Sequence, residues 1–195
     1  EIYEKIIYDD VTHVSIASLG DRIKDLTVVV NGLSKAYAMT GWRIGYSASN
    51  SDLADAISKI QSHCTSCPNS IAQLAAIEAL KGPNDFINEM VVEFKKRRDY
   101  ILNVFNDVKC LRVENSEATF YLFVNISKLI GKYYNSKIIR NSNDFSDILL
   151  EEFQIAVVPG ESFGMENYIR ISYATSFDNV VKGANKLVTF VSQII

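Results

Sequence analysis

Short runs rich in β-branched and aromatic residues alternate along this chain with longer stretches whose apolar positions recur every three or four residues, the pattern of strands interleaved with helices. Ile2 to Tyr8 (IYEKIIY) reads as a strand or its exit. Leu26 to Val30 (LTVVV) is a continuous apolar run that fits a strand covered on both faces, as in a parallel α/β sheet, while periodicity alone also allows a buried helix. Arg43 to Ala48 (RIGYSA) is the next strand. Asn50 stands in the N-cap position of a helix carrying Leu53, Ile57 and Ile60 at helical spacing. A second helix over Asn69 to Leu80 is apolar nearly all round apart from Gln73 and Glu78, which calls for deep burial or a subunit interface.

Gly82-Pro83-Asn84 breaks the chain, and a long helix follows over about 85–107. Its apolar stripe is Ile87, Met90, Val91, Phe94, Ile101, Leu102 and Phe105, with Glu93 and Lys95 to Arg98 on the wet face. A helix of this length often bridges two domains, so the chain is divided near residue 95, into 1–95 and 96–195. Beyond Cys110 the pattern predicts a strand at Thr119 to Val124, a polar surface loop at Asn135 to Asn143 and a short helix at Asp144 to Phe153. Further strands are predicted at Ile155 to Pro159 and Tyr168 to Tyr173. A last helix carries Val180, Ala184, Leu187, Val188, Val191 and Ile194 on one face. Strands with helices packed on them make this an α/β chain without repeats or low-complexity tracts.

At 195 residues and 48% hydrophobic content the chain can bury a substantial core. Its formal net charge is −3 and its one dense basic run, Lys95 to Arg98, falls on a helix, which argues against a nucleic-acid partner. No apolar stretch approaches the roughly 20 residues of a membrane span, and no leader pattern opens the chain, so a cytoplasmic protein with no membrane contact is expected. Cys64, Cys67 and Cys110 have no second Cys pair or His cluster to complete a zinc site and are read as ordinary thiols. His13 and His63 are read as structural.

Candidate chemistry gathers between the second and third apolar runs, where Asn31 to Tyr46 reads NGLSKAYAMTGWRIGY. Lys35 follows a hydroxyl, Ser34, and precedes Arg43 in a Gly-Trp-Arg-x-Gly turn. A lysine amine attacks carbonyls when held near the reacting atom and kept from being an ordinary solvated ammonium. Ser34 and Arg43 are suitable donors for a phosphate, the guanidinium by a two-pronged fork. The site therefore suits a phosphorylated carbonyl compound; taken residue by residue, Lys35 and Arg43 could equally be surface charges on a loop.

The same stretch resembles the signature of class I pyridoxal-phosphate aminotransferases, in particular the bacterial aspartate aminotransferase branch. EIYEKIIYD resembles that family's D-E-I-Y segment, TSCPNSIAQ its S-N-P-T-S-I-A-Q, and AVVPGESFG with YIRISYA its small-domain signature, in the family's order. The resemblance implies a transferase of fold type I, here the end of the large three-layer α/β cofactor domain followed by a small α+β domain. It implies that Lys35 forms the Schiff base with pyridoxal 5'-phosphate and shuttles a proton at the substrate α-carbon. Ser34 and Arg43 would hold the cofactor phosphate, Tyr3 would donate to its 3'-oxygen, and Arg170 would clamp the substrate α-carboxylate. Tyr3 alone would otherwise read as a packing aromatic and Arg170 alone as a strand-edge charge.

Two departures stand out. Cys67 replaces the Asn usual beside Ser66, and Ala118-Thr119 replace the Gly-Ala before Phe120-Tyr121, which changes the turn but keeps the strand. The aspartate that pairs with the pyridine nitrogen in the family would precede Glu1, so these residues alone are expected to be inactive. The parent protein is expected to be a homodimer moving an amino group between an amino acid, aspartate foremost, and a 2-oxo acid. The alternatives are an aromatic or kynurenine-type aminotransferase, or a regulatory or binding domain built on the same fold.

Overall fold

A computed structural model describes residues 1–195, which form two compact units, Glu1–Val91 and Val92–Ile195. The opening residues are not the strand their composition suggests. Glu1 to Lys5 wind into a turn, with the Glu4 and Ile6 amides donating to the Glu1 and Tyr3 carbonyls at 3.1 and 2.9 Å. Tertiary packing overrides propensity here, because the turn lets both Ile6 and Tyr8 be buried. A short helix α1 (Asp21–Asp25) precedes β1 (Val29–Gly32), which pairs with β2 (Gly45–Ala48).

The β1–β2 pairing is antiparallel, with Asn31 opposite Tyr46 and Gly32 opposite Gly45. The pairing seen for β1 is thus antiparallel, where a parallel one was expected. Parallel neighbours need a crossover, usually a helix, whereas the Leu33 to Ile44 connection turns straight back. Only the second half of β1 is buried, Val30 is 61% exposed, and all of β2 faces outward. A Cβ on Gly45 would lie 2.9 Å from the Asn31 carbonyl oxygen, so glycine is what lets the two strands close at that point.

Helix α2 (Ser51–Cys64) begins at the predicted Asn50 cap, whose side chain accepts from the Leu53 amide, and it buries none of its residues. Helix α3 (Ser70–Lys81) is capped by Asn69, which accepts from the Ile71 and Ala72 amides. Its alanines Ala72 and Ala76 are buried, Ala76 within a core of Leu33, Ala36, Tyr37, Met39 and Ile87. The opposite face is not buried: Leu74 is 66% exposed, with Ile71, Ile77 and Leu80 beside it also exposed. Deep burial, one of the two readings of this helix, is thereby excluded within the chain.

Helix α4 (Asp85–Asn106) starts in the first unit and ends in the second. The second unit is built on an antiparallel sheet in the order β3-β4-β8-β7, from β3 (Arg112–Val113), β4 (Tyr121–Asn125), β7 (Val158–Pro159) and β8 (Tyr168–Ser172). Leu122 and Val124 of β4 and Ile169 of β8 are fully buried. Helices α5 (Ser142–Phe153) and α6 (Phe177–Ser192) supply Phe145, Leu149, Leu187 and Phe190 to that core. Phe190 is its hub, with the rings of Tyr134, Phe145 and Phe153 centred 5.0 to 5.1 Å away.

Two further expectations are corrected in this unit. The stretch 135–143 is not a plain surface loop. It completes a hairpin of β5 (Tyr133–Tyr134) and β6 (Lys137–Ile138), then buries Ile139 and Ser142 as it enters α5. Nor does all of Lys95 to Arg98 face water: Arg98 is 2% exposed. Its Nη1 donates to the Ser116 carbonyl at 2.7 Å and its Nε to Asp99 Oδ1 at 2.8 Å. No helix is long and apolar enough to cross a membrane. Cys64, Cys67 and Cys110 are free thiols.

Candidate active site

The β1–β2 connection builds the first half of the site. Leu33, just past the end of β1, is buried, and the chain then turns, with the Tyr37 and Met39 amides both donating to the Leu33 carbonyl at 3.2 and 3.3 Å. Ala36, Tyr37 and Met39 pack into the core beneath α3, so the turn is anchored on both sides of Lys35. Ser34 and Lys35 are the half-buried residues of that turn. The backbone thus presents an amine and a hydroxyl on a rigid base.

Arg43 sits at the other end of the connection in the left-handed region, φ 51°, just after the 3₁₀ turn Thr40–Trp42. Its Nη1 donates to the Thr40 carbonyl at 2.8 Å, which fixes the guanidinium on its own loop. With Gly41, Trp42, Asn69, Ile71 and Ala72 it lines an open cleft of about 550 Å³ at the start of α3. Lys35 and Arg43 are thus both carried by the same connection, Lys35 half-buried and Arg43 exposed.

Tyr3 lies in the opening turn, which runs beside this connection. The Glu1 backbone nitrogen donates to the Val30 carbonyl at 2.6 Å, Lys5 Nζ stands 5.6 Å over the Tyr37 ring, and the Ile2 side chain reaches Gly32. Tyr46, opposite Asn31, joins the same neighbourhood: partial burial, followed by the Glu4 carboxylate, pushes its phenol above the usual range. The Glu1 carboxyl is held below its ordinary range, first by the Ser15 hydroxyl and also by the His13 imidazole, 3.4 Å away.

Arg170 belongs to the second unit, at the centre of β8 opposite Phe123 of β4. It is half-buried, and its side chain projects from the face opposite Ile169, because neighbouring residues on a strand alternate sides. Its guanidinium carbon lies over two rings, 4.3 Å from the centre of Tyr121 and 4.4 Å from that of Phe163. The altered turn before β4 is held by Tyr173, whose hydroxyl donates to the Thr119 carbonyl at 3.1 Å while Thr119 takes a φ of 71°.

An amine, a hydroxyl and a guanidinium on one loop, with a phenol on the turn beside it, fit a phosphorylated aldehyde: one group to bond the carbonyl carbon, two to take the phosphate, one to donate to a ring oxygen. Tyr3, Ser34, Lys35 and Arg43 share the first unit, while Arg170 is in the second. A second cavity, about 470 Å³ among Ile101, Phe105, Val157, Ile171 and Leu187, contains none of these five and is lined chiefly by apolar side chains. Sequence reasoning missed Tyr121 and Phe163. Both lie inside or next to stretches quoted above, and the alternation of β4 places Tyr121 on the same face as the partner of Arg170.

The model of the family "Aminotransferase class I and II" matches residues 1–187. A probable aspartate/prephenate aminotransferase of Rickettsia felis is 48% identical over 181 residues, which cover 92% of this chain and 44% of that protein. The crystal structure of the aspartate aminotransferase from Rhizobium meliloti superposes with a TM-score of 0.95 at 41% identity, over 100% of this chain and 49% of that one. An aromatic aminotransferase from Pyrococcus horikoshii gives 0.88 at 35%, over 98% and 49%. The chain spans about half the length of the curated relatives it matches. On the family match, the relatives and the shared fold together, this chain belongs to the class I and II aminotransferases, with the α/β fold of pyridoxal-phosphate-dependent aspartate aminotransferases.

Proposed function

We propose that the full-length protein carrying these residues transfers an amino group between an amino acid, aspartate foremost, and a 2-oxo acid, with Lys35 as its catalytic residue. The observation that carries this reading is the anchored turn that holds Ser34 and Lys35 between β1 and β2, with Arg43 fixed at the end of the same connection. Family membership implies dependence on pyridoxal phosphate. When bound, that cofactor supplies a reactive carbonyl and a ring that accepts electrons.

The chain's own residues divide the remaining work. Lys35 Nζ holds the cofactor and moves a proton at the substrate α-carbon, one amine serving as anchor and as general acid and base. Ser34 and Arg43 hold the phosphate, and Tyr3 donates its phenolic hydrogen to the ring oxygen. Arg170 takes the α-carboxylate on its planar fork, which a lysine could not match. Residues 1–95 then serve as part of the cofactor domain and 96–195 as the small domain. The exposed Ile71, Leu74, Ile77 and Leu80 of α3 support its use at the subunit interface of a homodimer.

A ring-bearing substrate is the second reading, favoured by relatives named for prephenate and for aromatic amino acids and by the aromatic surroundings of Arg170. Steady-state transamination by the full-length protein, with aspartate and phenylalanine as alternative donors, tests both. Faster turnover of aspartate is expected, and preference for phenylalanine selects the second reading. Absence of transfer from any donor selects a regulatory or binding use of the fold. The 195 residues in isolation are expected to be inactive.

A further inference from the structure

Arg170 stands on β8 in the second unit with an aromatic surface around it. Its guanidinium lies over Tyr121 and Phe163 at nearly equal distances, 4.3 and 4.4 Å. Those rings belong to different elements: Tyr121 opens β4, and Phe163 ends the 3₁₀ turn Gly160–Phe163 that follows β7. Phe163 is in turn set edge-on to Phe123 at 5.7 Å, and Phe123 is stacked on Tyr168 at 5.5 Å. The turn carrying Phe163 is tight, because a Cβ at Gly160 would meet the Met165 and Tyr168 carbonyl oxygens at 2.2 and 2.5 Å.

A cation resting on ring faces is attracted through its own plane, not through its N–H edges. Contacts of that kind orient a guanidinium without consuming the donors that a carboxylate needs. Hydrogen bonds from the protein would fix the same plane but compete with the ligand for those donors.

Resting on the reading of Arg170 as the carboxylate-binding residue, we propose that Tyr121 and Phe163 are positioning residues that hold its guanidinium in the plane the substrate α-carboxylate approaches. The rings act through Arg170. Their loss therefore weakens carboxylate binding more than it slows proton transfer at Lys35, which belongs to the other unit.

The test uses the full-length protein with cofactor and the variants Phe163→Leu, Tyr121→Leu, Tyr121→Phe and Arg170→Lys. Two readouts are taken: KM against kcat for the amino acid, and the dissociation constant of succinate, an unreactive dicarboxylate, by calorimetry. Phe163→Leu and Tyr121→Leu are each expected to raise KM and the succinate constant about tenfold, the scale of losing one partly desolvated cation–ring contact, with kcat changed about threefold or less. Tyr121→Phe, which keeps the ring, restores values within about twofold of wild type. If Arg170→Lys is crippling while both leucine variants bind succinate normally, the positioning role is wrong and the assignment of Arg170 stands. If Arg170→Lys itself leaves KM and succinate binding unchanged, the assignment of Arg170 falls, and the positioning role with it. A fall in kcat without a change in KM or succinate binding also overturns the proposal, since that is what a purely structural role would give.

Discussion

Arg98→Met removes the one buried guanidinium of α4 while keeping most of its aliphatic stem. In the wild type the fork donates to the Ser116 carbonyl at 2.7 Å and pairs with Asp99. Asp99 is 43% exposed, so that pair contributes about 1 kcal/mol or less. The Ser116 bond is charge-assisted and made by a residue that is itself buried, which puts its loss at roughly 1.5–3 kcal/mol. Arg98→Met is therefore expected to cost about 2–3 kcal/mol in all. Arg98→Ala, which also strips two stem methylenes from the interior, should cost about 1.6 kcal/mol more at about 0.8 kcal/mol per buried methylene. At about 2–4 °C per kcal/mol for a chain of this size, the methionine variant melts about 4–12 °C lower. Urea and thermal unfolding of the two variants measure this, and hydrogen exchange at 115–119 reports whether the loop before β4 loosens. An unfolding free energy for Arg98→Met within about 0.5 kcal/mol of wild type would refute the reasoning, since that is the range of an ordinary surface substitution.

Gly160→Ala should be costly out of proportion to one methyl group, about 2–3 kcal/mol, because the atoms it meets are backbone carbonyls that cannot swing aside. A melting curve and a KM raised in parallel with that of Phe163→Leu would check it. Acid stability should depend in part on Asp144. Hydrogen bonds from the Arg140 amide, and then from its guanidinium, hold that carboxyl below its usual range. A carboxyl depressed in the folded state stabilises above its unfolded pKa of about 3.9, and this is lost as pH falls through the lower folded value. Asp144→Asn should therefore flatten the decline in stability below about pH 4 and leave the slope near neutrality unchanged.

The longer helices were the legible part of the fold, since their apolar periods announce them, whereas the five-residue α1, with no side-chain cap, gave no such signal. Asn50 and Asn69 both cap helices by accepting from amides two or three residues on, which residue type and position alone had indicated for Asn50. The strands were less legible where contact partners decide. Ile2 to Tyr8 has the composition of a strand, yet burying Ile6 and Tyr8 is better served by a turn. Arg98 was misplaced because charge was allowed to outrank spacing. It stands four residues after Phe94 and three before Ile101, squarely in the buried stripe, and that spacing was the available signal.

In the site, Lys35, Ser34 and Arg43 are close in sequence and could be grouped by inspection. The rings against Arg170 could not, because Tyr121 and Phe163 reach it from separate elements that only the β4–β8 register and the tight turn at Gly160 bring together.

The central claim is that Lys35 is the amine that holds the cofactor. Borohydride reduction of the full-length protein in the presence of pyridoxal phosphate, followed by peptide mass spectrometry, tests it most directly. The account predicts a phosphopyridoxyl group on the peptide containing Lys35 and its loss in Lys35→Ala. A label on another lysine, or an undiminished label in that variant, would contradict it.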